Sequence, residues 1–239
     1  MQTENSDSRQ YPTLFSWEDL TEIISSGDLG KLRRHPDHQE AYDQWRSKII
    51  AAHGSIPQYL LKERLGWVMS DQTPPPTPPP QVANQPKYFT RDIPDKLHKL
   101  LNNDWGYAVP HNVEHWVCWS RIPLIHQDLY TSDVGYQNAL SNGLYGFTNS
   151  DNLDGAQEIQ NWIIKKFGKD TTAAYFLNPP HLQSVKEVQH FHIFVKSYGL
   201  GESILLELLI RDLLVNVVNN GLSELSLFGF SLLSFKTNP

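Results

Sequence analysis

The sequence predicts an α+β fold, with N-terminal helices packed with a small antiparallel sheet, a Pro-rich linker between them and a helical C-terminal tail. Three observations predict it. Apolar residues recur at helical spacing, framed by helix start and stop residues, from residue 12 to 69. Short runs rich in Val, Phe, Tyr and Trp, bounded by Pro, Gly and Asn, follow between residues 87 and 196. Between them stands Pro74-Pro75-Pro76-Thr77-Pro78-Pro79-Pro80. The predicted organisation is therefore a helical region over 12–69, a linker over 70–86, an α+β region over 87–196 and an atypical apolar tail over 197–239.

In the first region Ser16 is placed to cap a helix whose third residue is Asp19, with Leu20, Ile23 and Ile24 as its apolar stripe and Gly27 closing it. A second helix is predicted from Pro36 to Ala52, with Pro36 at its first turn and Gly54 just past its end. Tyr42, Trp45, Ile49 and Ala52 recur along one side of it, and a third short helix runs from Pro57 to Leu65. All aromatic residues here are read as core. The proline run donates almost no backbone hydrogen bonds, so it is read as an extended spacer rather than a ligand for an SH3-type groove.

In the α+β region a short helix is expected over Ile93–Leu101, then the aromatic turn Asp104-Trp105-Gly106-Tyr107. Glu114–Ser120, Thr171–Leu177 and Val188–Val195 read as strands, and Ala156–Phe167 as an amphipathic helix. Ser132–Asp154 is rich in Gly, Asn, Ser and Asp and reads as a long loop. In the tail, Ile204–Val218 reads as a Leu/Val-rich helix suited to a protein partner or to self-association. Glu202, Glu207, Arg211, Asp212 and Glu224 interrupt any window long enough to span a membrane.

Composition excludes several classes of function. A hydrophobic fraction of 39% with seven Trp and ten Phe predicts a packed core rather than disorder. A net charge of −6 without a Lys/Arg cluster argues against nucleic-acid binding, which needs concentrated positive charge. Cys118 is the single cysteine, so neither an internal disulfide nor a multi-cysteine zinc site can form. It lies in the bulky run Trp116-Val117-Cys118-Trp119 and is expected to be a buried, inert thiol. Met1–Arg9 is polar and lacks the apolar stretch of a signal peptide, which predicts the cytoplasm, with the nucleus also open. No cofactor is implied.

Several segments, in order, carry a family resemblance. They are Gly27-Asp28-Leu29-Gly30-Lys31-Leu32, Leu60-Leu61-Lys62-Glu63-Arg64-Leu65-Gly66-Trp67, Asn103-Asp104-Trp105-Gly106-Tyr107 and Glu114-His115-Trp116-Val117-Cys118-Trp119-Ser120. Phe176-Leu177-Asn178-Pro179-Pro180 follows, then Gln183-Ser184-Val185 and His190-Phe191-His192. Together they resemble the fungal N-acetylglucosamine-induced protein family, a domain of unknown function, over roughly Leu14 to Val195. The resemblance implies a protein tied to the amino-sugar response and no established chemistry. Gly106 departs from it, standing where the family usually has proline, and the tail after Val195 has no counterpart.

One constellation has the makings of chemistry. On a strand, alternation places Val188, His190, His192 and Phe194 on one face and Gln189, Phe191, Ile193 and Val195 on the other. His190 and His192 are the candidate catalytic residues, with Asn178, Gln183, Ser184 and His115 as candidate ligand-binding residues. The strand is similar to that of the histidine-triad hydrolases and transferases, where His-x-His-x-His follows Gln-Ser-Val. Neutral imidazole is a competent nucleophile towards phosphorus near neutral pH. The pattern is incomplete: Phe194 or Val188 stands where a third histidine belongs, and Lys186-Glu187-Val188 intervene. Structural hydrogen bonding of the pair and chelation of a metal with His115 or Glu114 are the competing readings. No arginine adjoins the segment in sequence, so a phosphate there would rest on neutral donors. The leading function is thus a regulatory or interaction protein that binds a small sugar or phosphate ligand. The alternative is a histidine-triad-like phosphate-ester hydrolase or transferase.

Overall fold

The computed structural model describes residues 7–67, 86–151 and 154–197. The proline run, and the tail helix read as a partner or self-association surface, lie outside the described residues.

Helix α1 (Trp17–Ser26) begins with the expected capping box: the Asp19 amide donates to Ser16 Oγ and the Ser16 amide to Asp19 Oδ2. Gly27 ends it in the left-handed conformation, where a residue without Cβ is favoured. Helix α2 (Pro36–His53) starts on Pro36 and stops at Gly54. Helix α3 (Ile56–Tyr59) continues into a π-helical stretch, Leu60–Leu65, whose last carbonyls, Arg64 and Leu65, accept from the Lys99 ammonium.

Five strands follow: β1 (His98–Asn102), β2 (Val113–Ser120), β3 (Leu144–Phe147), β4 (Thr172–Leu177) and β5 (Gln189–Lys196). They form one antiparallel sheet in the order β1-β2-β5-β4-β3. Helix α4 (Asp133–Asn142) precedes β3, and α5 (Gln157–Phe167) lies between β3 and β4.

Both faces of the sheet are covered. On one, Cys118, Phe191, Ile193, Tyr175 and Leu177 pack against Ile159, Trp162 and Ile163 of α5 and against Phe89, Ile93 and Leu124. On the other, the N-terminal helices supply the cover in two separate clusters. Leu20, Ile24, Leu29 and Leu32 sit on Ala174, Phe176 and Phe194, while Leu60 and Leu65 sit on Val117, Trp119, Val185 and Val188. His192 pairs with Val117 on one side and Phe176 on the other, so it falls between the two clusters.

Three expectations are corrected. Ile93–Leu101 is not a helix: after one 3₁₀ turn, Asp95–Leu97, it becomes strand β1. Ile93, Leu97, Leu100 and Leu101 mimic helical spacing because Leu100 and Leu101 serve opposite sheet faces. Ser132–Asp154 is not a plain loop: Ser132 caps α4, and Leu144–Phe147 adds edge strand β3. Only Ala139 of α4 is buried, so the helix carries almost no apolar stripe to read. The aromatic residues of α2 and α3 are not simply core, because Tyr42, Trp45 and Tyr59 are wall residues of a cavity.

Candidate functional site

The gap between the two N-terminal clusters is a cavity of about 320 Å³ whose floor is the His190/His192 face of the sheet. Antiparallel register builds that floor. His192 stands opposite Val117 and His190 opposite Trp119, and His115 on β2 stands opposite Phe194. Cross-strand partners share a face, so the three imidazoles, Trp119 and Phe194 all lie on the helix-covered side. Glu114, weighed as a metal ligand beside them, falls on the other side, where it accepts from Trp116 Nε1.

Hydrogen bonding sets the protons on these rings. The Tyr107 amide donates to His115 Nδ1 at 3.3 Å, which leaves the proton of a neutral imidazole on Nε2. His115 Nε2–H then donates to His192 Nδ1 at 3.0 Å, and His192 in turn carries its proton on Nε2. That nitrogen lies 3.4 Å from Asn178 Nδ2, and turning the amide over presents the Asn178 oxygen to accept there. His190 has the opposite tautomer. Its Nδ1–H donates to the Val188 carbonyl at 2.8 Å, leaving a lone pair on Nε2. His190 therefore offers an acceptor, Nε2, to the cavity, and His192 a donor, Nε2–H, that a ligand would share with Asn178.

Burial keeps all three rings neutral. It pushes His115 down to about 3, with a smaller push from the Arg34 charge. It holds His192 well below the ordinary histidine range, helped by His115, His190 and Arg34. It lowers His190 as well, against a small opposing pull from the Val188 carbonyl. Trp119 stacks on His190 with ring centres 4.5 Å apart.

The other residues proposed from the sequence distribute around this floor. Asn178 and Ser184 line the cavity. Gln183 stands behind, its Nε2 donating to the Asn178 carbonyl at 2.8 Å and bracing that loop. His115 is buried beneath His192 rather than in the wall. Among the described residues no group of three or more His, Cys, Asp or Glu is placed to hold a metal ion.

Sequence reading missed the roof. Tyr42, Trp45, Tyr59 and Arg64 come from the N-terminal helices, Arg34 from the segment that leads into α2, and Asn103, Asp104, Trp105 and Tyr107 from the loop between β1 and β2. No arginine adjoins the histidines in sequence, but the segment before α2 and the π-helical stretch bring Arg34 and Arg64 to the same cavity, so a phosphate there need not rest on neutral donors alone. Arg64 forms an ion pair with Asp104. Arg34 donates through Nε to the Trp105 carbonyl at 2.9 Å and through Nη1 to Gln39 Oε1 at 3.0 Å, and its guanidinium lies 4.1 Å from the Tyr42 ring centre. Trp105 is 5% exposed and its indole N–H is buried without a hydrogen-bond acceptor among the described residues. The segment Asn103-Asp104-Trp105-Gly106-Tyr107 was a usable signal, since it joins two polar side chains, Asn103 and Asp104, to two aromatic rings, Trp105 and Tyr107, in one turn.

A larger depression of about 660 Å³, bordered by Gly27, Asn138, Asp154 and His181, lies elsewhere on the surface. It contains none of the buried histidines, and the chemistry concentrates in the smaller cavity.

Fold and site together define an α+β protein with a histidine-floored, aromatic-walled cavity on one face of an antiparallel sheet. The chain belongs to the family described as "Protein of unknown function (DUF3605)", whose model matches residues 16–196. It is 25% identical over 182 residues to the uncharacterised protein YPL067C of Saccharomyces cerevisiae, a match covering 76% of this chain and 78% of that protein. It is 23% identical over 189 residues to N-acetylglucosamine-induced protein 1 of Candida albicans, covering 76% and 68%. A solved structure, "Crystal Structure of HTC1", matches with a TM-score of 0.53 and 21% identity, over 84% of this chain and 96% of that one, and shows the fold alone. The expected kinship with the fungal N-acetylglucosamine-induced proteins therefore holds, while these matches give the histidine-triad likeness no support. No helix among the described residues is long and apolar enough to cross a membrane.

Proposed function

We propose that this is a small-molecule-binding protein of the amino-sugar response, taking a sugar-sized polar ligand in the cavity over His190 and His192. The observation that carries the reading is the pairing of aromatic walls with a fixed donor and acceptor on the floor. Tyr42, Trp45, Tyr59 and Trp105 offer flat apolar surface to the C–H face of a sugar ring, and His192, His190 and Asn178 meet its hydroxyl groups. A cavity of about 320 Å³ suits a monosaccharide better than a polymer. The name of the Candida relative, an N-acetylglucosamine-induced protein, supplies the amino-sugar link.

Isothermal titration of the full chain with neutral and phosphorylated hexoses and N-acetylhexosamines tests it. The expected result is saturable one-site binding of at least one member, weakened tenfold or more in His192→Ala. Silence across the panel, or binding indifferent to His192, would overturn it.

A second reading rests on the His190 tautomer. With Nδ1–H held by Val188, the Nε2 lone pair is free to attack the phosphorus of a phosphate ester. An N–P bond forms, the P–O bond to the leaving group breaks, and the leaving oxygen keeps that electron pair, accepts a hydrogen bond from neutral His192 Nε2–H and takes its proton from solvent. Water then hydrolyses the phospho-histidine. Trapping a phosphoryl group on His190 but not on His192 supports this reading; turnover untouched by His190→Ala contradicts it.

A further inference from the structure

We infer that Arg34 is the anion anchor of the cavity, so that its ligand is a sugar-sized molecule bearing one compact oxyanion, a phosphate monoester or a carboxylate. This rests on the binding reading above and narrows it to a charge class.

The charges around the cavity point there. Arg64 and Asp104 neutralise one another, and the histidines are held neutral by burial. Among the described residues that line the cavity, Arg34 is left as the cation, and its acceptors there are uncharged: the Trp105 carbonyl and the Gln39 carboxamide. The Asp43 carboxylate is reached only at one remove, through Gln39 Nε2 at 3.1 Å. A guanidinium has five N–H donors, and Nε and Nη1 each use one here. Tyr42 beneath its plane holds the fork in orientation.

A second observation lies next to it. The buried indole N–H of Trp105 lacks an acceptor among the described residues, and Trp105 shares the cavity wall with Arg34. A buried donor without a partner is destabilising, and a ligand oxygen accepting from it would remove that penalty. An oxyanion at this corner would take charge-assisted bonds from Arg34 and a bond from Trp105, leaving the ring hydroxyls for His190, His192 and Asn178. Arg34 bears on both His115 and His192 electrostatically, so the two ends of such a ligand lie within reach of one field.

The test is a matched comparison by isothermal titration on the full chain. N-acetylglucosamine, N-acetylglucosamine 6-phosphate, glucuronate and inorganic phosphate are titrated into the native protein, Arg34→Gln and Trp105→Phe. The inference expects a phosphorylated or carboxylated sugar to bind at least tenfold more tightly than N-acetylglucosamine in the native chain. That advantage should collapse in Arg34→Gln and shrink several-fold in Trp105→Phe. Which of the two acidic sugars binds more tightly separates the phosphate from the carboxylate. Equal or tighter binding of the neutral sugar overturns the anchor while leaving the binding reading intact, and no binding by any sugar overturns both. The native-chain comparison stands even if Arg34→Gln fails to fold.

Discussion

His115 Nε2 donates to His192 Nδ1 at 3.0 Å, joining β2 to β5 beneath the cavity and setting which nitrogen of His192 faces a ligand. The Tyr107 amide at His115 Nδ1 fixes the direction of that donation. Protonating either ring would put two N–H groups against one another in a buried site.

Acid should therefore destabilise the protein early. A histidine held neutral in the fold and titrating near 6.5 when unfolded makes the unfolded chain bind more protons as pH falls, so stability drops below the unfolded value. His115 is held down to about 3 and His192 well below its ordinary range, both mainly by burial. Between pH 7 and pH 5 each costs roughly 2 kcal/mol, at about 1.4 kcal/mol per unit below 6.5. Urea unfolding at the two pH values should show the loss, and a flat profile would contradict neutral burial.

Removing the relay should be costly. His115→Phe keeps an aromatic ring beside Phe194 but leaves the Tyr107 amide without its acceptor and His192 Nδ1 without its donor. Each orphaned buried group costs about 1–3 kcal/mol, so a total of about 2–6 kcal/mol is expected by denaturant titration. A neutral substitution would mean the relay contributes nothing to the fold.

Two glycines should respond very differently to alanine. Gly143, at φ 73° and ψ −165°, would direct a Cβ into the Leu177 carbonyl and within 3.1 Å of the Asn178 backbone carbonyl carbon. Gly143→Ala should cost about 3 kcal/mol or more and shift Asn178 away from His192. Gly27 has a similar φ of 73° but open space around it, so Gly27→Ala should cost only about 1 kcal/mol. Equal melting temperatures for the two variants would contradict the backbone account.

Cys118 is fully buried on the α5 side of the sheet, and burial pushes its thiol well up. A thiol reagent should label it only at the rate at which the native chain unfolds. Rapid labelling of folded protein would contradict the packing described for β2.

The features legible in the sequence were those that depend on near neighbours. Alternation put His190 and His192 on one face, the Ser16 capping box and Gly27 framed α1, and the bulky run around Cys118 signalled a buried thiol. The features missed depend on distant partners or on elements buried on both sides. Strand β1 hid behind helical spacing, since Lys99 and Leu101 face the N-terminal helices and Leu100 faces α5. Arg34 could not be read as a site residue, because only folding carries it over His192. Tyr42 and Trp45 gave a true helical stripe, but a stripe looks the same whether it meets a core or lines a cavity.

The central claim, that the cavity over His190 and His192 is a ligand site, is tested most directly by imidazole ¹⁵N spectra of the labelled full chain during titration with N-acetylglucosamine 6-phosphate. The tautomers described place the free protein's proton on Nε2 of His115 and His192 and on Nδ1 of His190. Saturable shifts should then appear at His190 and His192 Nε2 while exposed His111 stays still. Unmoved His190 and His192 resonances at saturating ligand, or shifts no larger than those of His111, would contradict the account.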